Sequence, residues 1–129
     1  FRKDGELTFY RDGGEDIARI AIEIADTDSA TQRGLMQRES LPPASGMLFI
    51  MPQTRIQAFY MANTPMPLDI IFVGPDSALV SIAKDTQPYS TANVISEGPA
   101  KYVVEVPAGY STRLGLTAGD RIRWTRMDG

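Results

Sequence analysis

The chain has 129 residues, enough for one domain, and 43% hydrophobic with 22% charged residues is the balance of an ordinary globular protein. Thirteen Lys and Arg against sixteen Asp and Glu leave a net charge of −3, so no overall positive field attracts nucleic acid or an anionic membrane surface. With no Cys and no His, disulfides, thiolate or histidine metal sites, cysteine nucleophiles and serine-histidine-aspartate mechanisms are all excluded.

In chain order, Leu7 to Tyr10 reads as a first short strand that turns at Gly13-Gly14. From Ile17 to Ala25 the residues Ile20, Ile22 and Ile24 fall on one face and Arg19 and Glu23 on the other, which predicts a half-buried strand with Glu23 outward. Asp28 or Ser29 can then cap a helix that runs to Arg38, with Leu35 and Met36 as its docking patch and Gly34 as a weak point. Pro42-Pro43 forces an extended or turning path before Gly46. Met47 to Ile50 and Ala58 to Met61 are shorter strand candidates.

Leu68 to Val73 is almost uniformly apolar and ends at Gly74-Pro75-Asp76-Ser77, a turn sequence, with Leu79 to Lys84 as the partner strand of a hairpin. Tyr102 to Val106 and Arg121 to Trp124 alternate as two further strands, and a helical turn over Ser111 to Leu116 with a turn at Gly119-Asp120 separates them. Strand after strand with so little helix predicts a mostly β (α+β) fold, a single small barrel-like domain over residues 1–129 with one short helix of any size. No apolar run approaches the roughly 20 residues of a membrane-spanning helix. The chain opens at Phe1-Arg2-Lys3 rather than at an initiator Met, as expected if an upstream segment has been removed.

Several spaced motifs follow one another in a recognisable order. They are Arg33-Gly34-Leu35-Met36-Gln37-Arg38, Leu41, Gly46-Met47-Leu48-Phe49, Met61-Ala62-Asn63-Thr64, Pro67-Leu68-Asp69-Ile70-Ile71-Phe72, Val104-Glu105-Val106 with Ala108-Gly109, and Gly119-Asp120. From about Ala18 onward the chain resembles domain-of-unknown-function family 192. That resemblance implies a small β-rich protein, periplasmic or secreted, with no established activity. Two positions depart from the family pattern: Tyr60 stands where Trp is usual and Ala62 where Lys is frequent.

Asp69 lies in the most apolar stretch of the chain, where an ionised carboxylate must be paired or must face a pocket. Its expected structural partner is Arg33 or Arg38, and its functional alternative is an anchor for a ligand hydroxyl or amine in a pocket framed by Arg33, Asn63 and Asp69. Asn63-Thr64-Pro65 reads as a turn. Glu105, between Val104 and Val106, is expected to face solvent, and Asp120 to fix the turn at Gly119. These seven residues, Arg33, Arg38, Asn63, Thr64, Asp69, Glu105 and Asp120, are the ligand-binding candidates. Asp69, Glu105 and Asp120 are also the acid-base candidates, two of which would serve as acid and base in a carbohydrate hydrolase, the alternative to a small ligand-binding or interaction domain. Met36, Met47, Met51, Met61 and Met66 crowd one quarter of the chain; thioethers suit Cu(I), but their apolar neighbours make core packing the expected use. No cofactor is expected, and the partner envisaged is a small polar ligand rather than nucleic acid.

Overall fold

The computed structural model describes residues 1–127. The hairpin read from Gly13-Gly14 forms from β1 (Gly5–Tyr10) and β2 (Asp16–Ala25), whose antiparallel register sets Leu7 opposite Ile20. The chain then crosses over through α1 (Asp28–Arg33) and returns as β3 (Ser45–Arg55), which pairs parallel to β2. A two-residue strand β4 (Ala58–Phe59) pairs with β7 (Val94–Ile95) as a separate small sheet. Between them β5 (Leu68–Val73) and β6 (Leu79–Ala83) form the hairpin expected from the Gly74–Ser77 turn. The chain closes with β8 (Ala100–Pro107), the short α2 (Tyr110–Leu114) and β9 (Arg121–Arg126).

Seven strands make one mixed sheet in the order β6-β5-β8-β3-β2-β1-β9. The mostly β domain is as expected, but the barrel is not closed. Its edge strands β6 and β9 meet only around one antiparallel bridge, Ala78 with Arg121, where the Leu79 N–H bonds the Asp120 carbonyl at 2.7 Å and the Ile122 N–H bonds the Ser77 carbonyl at 3.0 Å. The register that would zip the two edges together stops there because the chain at Gly119-Asp120 turns away, with Gly119 at φ 94°.

Both faces of the sheet are covered, and this explains the run of apolar residues in β5. Ile71 and Val73 join Leu7, Ile22, Leu48 and Val104 in one core cluster, while Leu68, Ile70 and Phe72 join Met47, Phe49 and Val103 in another on the opposite face. Each side chain of this size contributes about 1.5–3 kcal/mol when fully buried. Phe59 sits edge-on between Phe49 and Phe72, with ring centroids 5.0 and 6.1 Å away, and so fastens the small β4–β7 sheet onto the second cluster. Met47, Met61 and Met66 are buried in that cluster and Met51 packs against it, the use of methionine expected from their neighbours.

The helix expected from Ser29 to Arg38 is only α1, six residues long. Thr27 rather than Asp28 or Ser29 caps it, its Oγ1 accepting the Ala30 N–H at 3.1 Å. Gly34 stops it at φ 48° and ψ −130°, a conformation open to glycine, with the Phe49 ring 3.2 Å from where a Cβ would stand. The chain therefore leaves the helical path four residues before Arg38.

Candidate functional site

The stop at Gly34 decides what the helix-proximal residues can do. Arg33 remains on α1 and exposed, and among the described residues no carboxylate lies within ion-pair distance of it. Arg38, turned back under the sheet, forks both guanidinium nitrogens onto Glu23 at 2.7 and 2.9 Å. Glu23, expected to face outward, is only 2% exposed, because β2 lies inside the sheet and its second half is covered on both faces. Burial alone would raise the Glu23 carboxyl above its ordinary range; the Arg38 hydrogen bonds, with Arg2, more than offset this and hold it below.

Arg33 meets Asn63 at the surface. A cleft of about 340 Å³ is lined by Ser29, Gln32, Arg33, Met36, Gln37 and Asn63. The Gln37 N–H donates to the Asn63 carbonyl at 2.6 Å, tying the turn after α1 to the Asn63 turn. Gln37 and Asn63 both have left-handed backbone, φ 64° and φ 57°. Asn tolerates that region, but for Gln it is an uncommon and costly choice, of the kind that collects at binding sites. The neighbouring loop is stitched on in the same way: the Tyr89 N–H donates to the Thr64 carbonyl at 3.1 Å, and Tyr89 has φ 64°. The turn expected at Asn63-Thr64-Pro65 lies one residue earlier, centred on Ala62 and Asn63 and closed by the Thr64 N–H on the Met61 carbonyl at 3.1 Å; Thr64 itself is buried, its hydroxyl donating to the Ala62 carbonyl at 3.3 Å, and Asn63 is exposed.

Asp69 is not part of this cleft, and neither expected arginine reaches it. The fully buried carboxylate accepts three bonds: the Ser111 N–H at 3.0 Å and hydroxyl at 2.6 Å on one oxygen, and the Asp85 N–H at 2.9 Å on the other. It thus joins β5, α2 and the loop after β6. Asp120 fixes its turn as expected, accepting the Thr117 N–H at 2.9 Å, and also holds Arg11 at 2.8 Å.

Glu105 corrects a second expectation. It lies in register with Met47 of β3 and Ile70 of β5, both in the second core cluster, and is 4% exposed. Among the described residues no hydrogen bond or ion pair compensates its burial, which pushes the carboxyl up to about 8 and favours the protonated form at neutral pH. Alternation does not mark a solvent face here, because β8 is flanked by strands on both sides and covered on both faces. Asp69 pairs with Val106, one residue along, so Asp69 and Glu105 project from opposite faces of the sheet. Two carboxyls so placed cannot flank one glycosidic bond. Among the described residues no cluster of three or more acidic side chains is placed to hold a metal ion.

Comparison with known proteins agrees with the motif order. The model of DUF192, described as an uncharacterized ACR, matches residues 9–124. The UPF0127 protein of Pyrococcus furiosus is 32% identical over 116 residues, covering 84% of this chain and 90% of the relative; that of Pyrococcus abyssi is 30% identical over 80% of this chain and 85% of its own. Two crystal structures superpose closely. One is a Sinorhizobium meliloti protein provisionally described as a transcription regulator, with TM-score 0.88 and 33% identity over 94% of this chain and 93% of the other. The other, a Novosphingobium aromaticivorans protein of unknown function, has TM-score 0.86 and 34% identity over 92% of this chain and 84% of the other. With a family model matched over nearly its whole length and relatives aligned across most of theirs, the chain belongs to the uncharacterised DUF192 (UPF0127) family.

Proposed function

We propose that this protein is a ligand-binding domain that takes a small polar molecule bearing a carboxylate or similar anionic group in the cleft between α1 and the Asn63 turn. One observation carries the reading: Arg33, with no carboxylate of its own, shares a cleft with the amides of Gln32, Gln37 and Asn63, whose walls hold left-handed backbone at Gln37 and Asn63. A guanidinium fork recognises a planar anion, and side-chain amides supply donors and acceptors for neighbouring hydroxyl or amino groups. Met36 gives the lining its apolar part.

Asp69, Asp120 and Arg38 serve the fold in this reading, since each is already hydrogen-bonded within it. Regulation of transcription, provisionally ascribed to the Sinorhizobium protein, is not the role we favour. The basic C-terminal strand is neutralised in place, Arg121 by Asp12 at 3.5 Å, Arg123 by Asp16 at 2.8 Å and Arg126 by Asp26 at 2.6 Å. An exported location, periplasmic or secreted, rests on the family resemblance, and fractionating cells that express the gene from its native start tests it.

Binding is tested by thermal unfolding with acidic sugars, amino acids and small carboxylates. A ligand present at about 100 times its Kd stabilises the folded state by ~2.7 kcal/mol, several degrees for a domain of this size. At least one class should raise the Tm, Arg33→Ala should abolish the rise, and Asn63→Ala should reduce it. No shift with any class, or a shift that survives Arg33→Ala, rejects the cleft as the site.

A further inference from the structure

The second core cluster draws on β3, β5, β8 and the end of β2 and takes no residue from β1 or β9, so its cover stops short of that side of the sheet. The face left open there is polar. Leu7 and Phe9 point into the first cluster, so Thr8 between them projects the other way, and its register partners on both sides are arginines, Arg19 of β2 and Arg123 of β9. The three stand in one row across the strands, the arginine Cα atoms roughly 10 Å apart. Two grooves, of about 430 and 150 Å³, are both lined by Thr8, Arg19 and Arg123.

Arg123 is fixed from two sides. Its Nη2 donates to both Asp16 oxygens at 2.8 and 2.9 Å, and its guanidinium lies 5.0 Å from the centre of the Tyr10 ring. Asp16 reaches this face through a break in the β1–β2 register: Tyr10 pairs with Asp16 where regular pairing would set Ile17, and Ile17 packs against the first cluster instead. The Nε and Nη1 of Arg123 remain without an acceptor, and among the described residues neither the Arg19 guanidinium nor the Thr8 hydroxyl has a hydrogen-bond partner. Arg19 and Arg123 against Asp16 leave one positive charge over, while Glu6, which lines the smaller groove, is engaged by Lys3 at 3.4 Å.

We propose that this face binds a single tetrahedral oxyanion, the phosphate or sulfate group of a small molecule, between Arg19 and Arg123 and over the Thr8 hydroxyl. Donors that converge from two sides and from the floor match oxygens directed to the corners of a tetrahedron, whereas the lone fork of Arg33 matches a planar carboxylate. Asp16 and Tyr10 hold Arg123 ready, which lowers the ordering cost of binding. Arg19 supplies the charge that Asp16 does not offset. One surplus charge serves one small anion and not the phosphate backbone of a nucleic acid, which needs many. The site shares no residue with the Arg33 cleft and stands independently of it.

Amide chemical shifts followed while inorganic phosphate or sulfate replaces chloride at constant ionic strength test the site. The amides of Thr8, Arg19 and Arg123 should shift saturably with both anions, and acetate should bind more weakly than either. Arg19→Ala should weaken binding about tenfold through the loss of charge-assisted bonds. Thr8→Val, which keeps the shape of the side chain, should weaken it several-fold with unchanged circular dichroism. Glycerol phosphate and methyl sulfate in the same titration distinguish the two sources, and saturable binding of either ester at these amides supports the site. Shifts that never saturate overturn the proposal. So does saturation that is unchanged in Arg19→Ala, or acetate bound as tightly as phosphate and sulfate.

Discussion

Asp69 shows how a single buried carboxylate can be spent entirely on architecture. Its three donors come from Ser111 and Asp85, 42 and 16 residues away in sequence, so no local pattern around Asp69 names them. An arginine partner was the natural expectation for a charge in an apolar strand, and the sheet offered backbone amides and a serine hydroxyl instead. Asp69→Ala leaves the buried N–H and hydroxyl of Ser111 and the partly buried N–H of Asp85 without an acceptor and should cost about 2–4 kcal/mol in urea unfolding. The ligand-induced rise in Tm should persist in this variant, because the cleft at Arg33 is built from other residues. That persistence separates a support of the fold from a binding group.

At the level of elements, local pattern succeeds in the strands and their turns and fails in the segment from α1 to β3. The alternation in β2, the Gly74–Ser77 turn and the apolar β5 were legible because each rests on local propensity and period. The length of α1 was not, since Gly34 reads as a mild helix weakener until its φ of 48° identifies it as the stop. Glu23 and Glu105 were read as outward for a shared reason: period two assigns faces but says nothing of whether both faces are covered. Arg33 and Asn63 were both singled out in sequence, yet only the crossover brings them to one cleft, and Gln32 and Gln37 carried no signal beyond being polar neighbours. Arg38 holds the end of this segment to β2 through Glu23. Arg38→Ala strands the Glu23 charge in the core and should cost about 3–5 kcal/mol in denaturant unfolding. Pairing it with Glu23→Leu should recover most of that loss.

For the molecule as a whole, two carboxyls on the same face of the sheet set opposite limits on the working pH. Glu105 and Glu23 lie either side of Met47 in the registers of β3 with β8 and β2. The Glu23 carboxyl is held below its ordinary value, so the stability it contributes is present above that value and lost as pH falls through the lowered one. The Glu105 carboxyl is raised from 4.5 to about 8, so between those values the native state binds a proton that the unfolded chain has released, and stability falls as pH rises through that window. The fall amounts to on the order of 5 kcal/mol and levels off above the folded value. Urea unfolding across pH 4–9 should therefore give a maximum on the mildly acidic side. Glu105→Gln should flatten the alkaline limb while leaving the acid limb in place; an unchanged alkaline limb would mean that Glu105 is ionised in the native protein.

The strand order carries one consequence for how the protein is made. β1 is an interior strand, yet one of its neighbours, β9, is the last element of the domain to be synthesised, and the Met127 N–H reaches back to the Asp4 carbonyl at 2.8 Å. Until residues 121–126 have left the ribosome, β1 presents a row of unpaired amides and carbonyls, and Leu7 and Phe9 lack the Ile122 side of their core. A nascent chain in that condition has an open edge for strand pairing with its neighbours on a polysome, and the domain completes itself only after translation has passed β9.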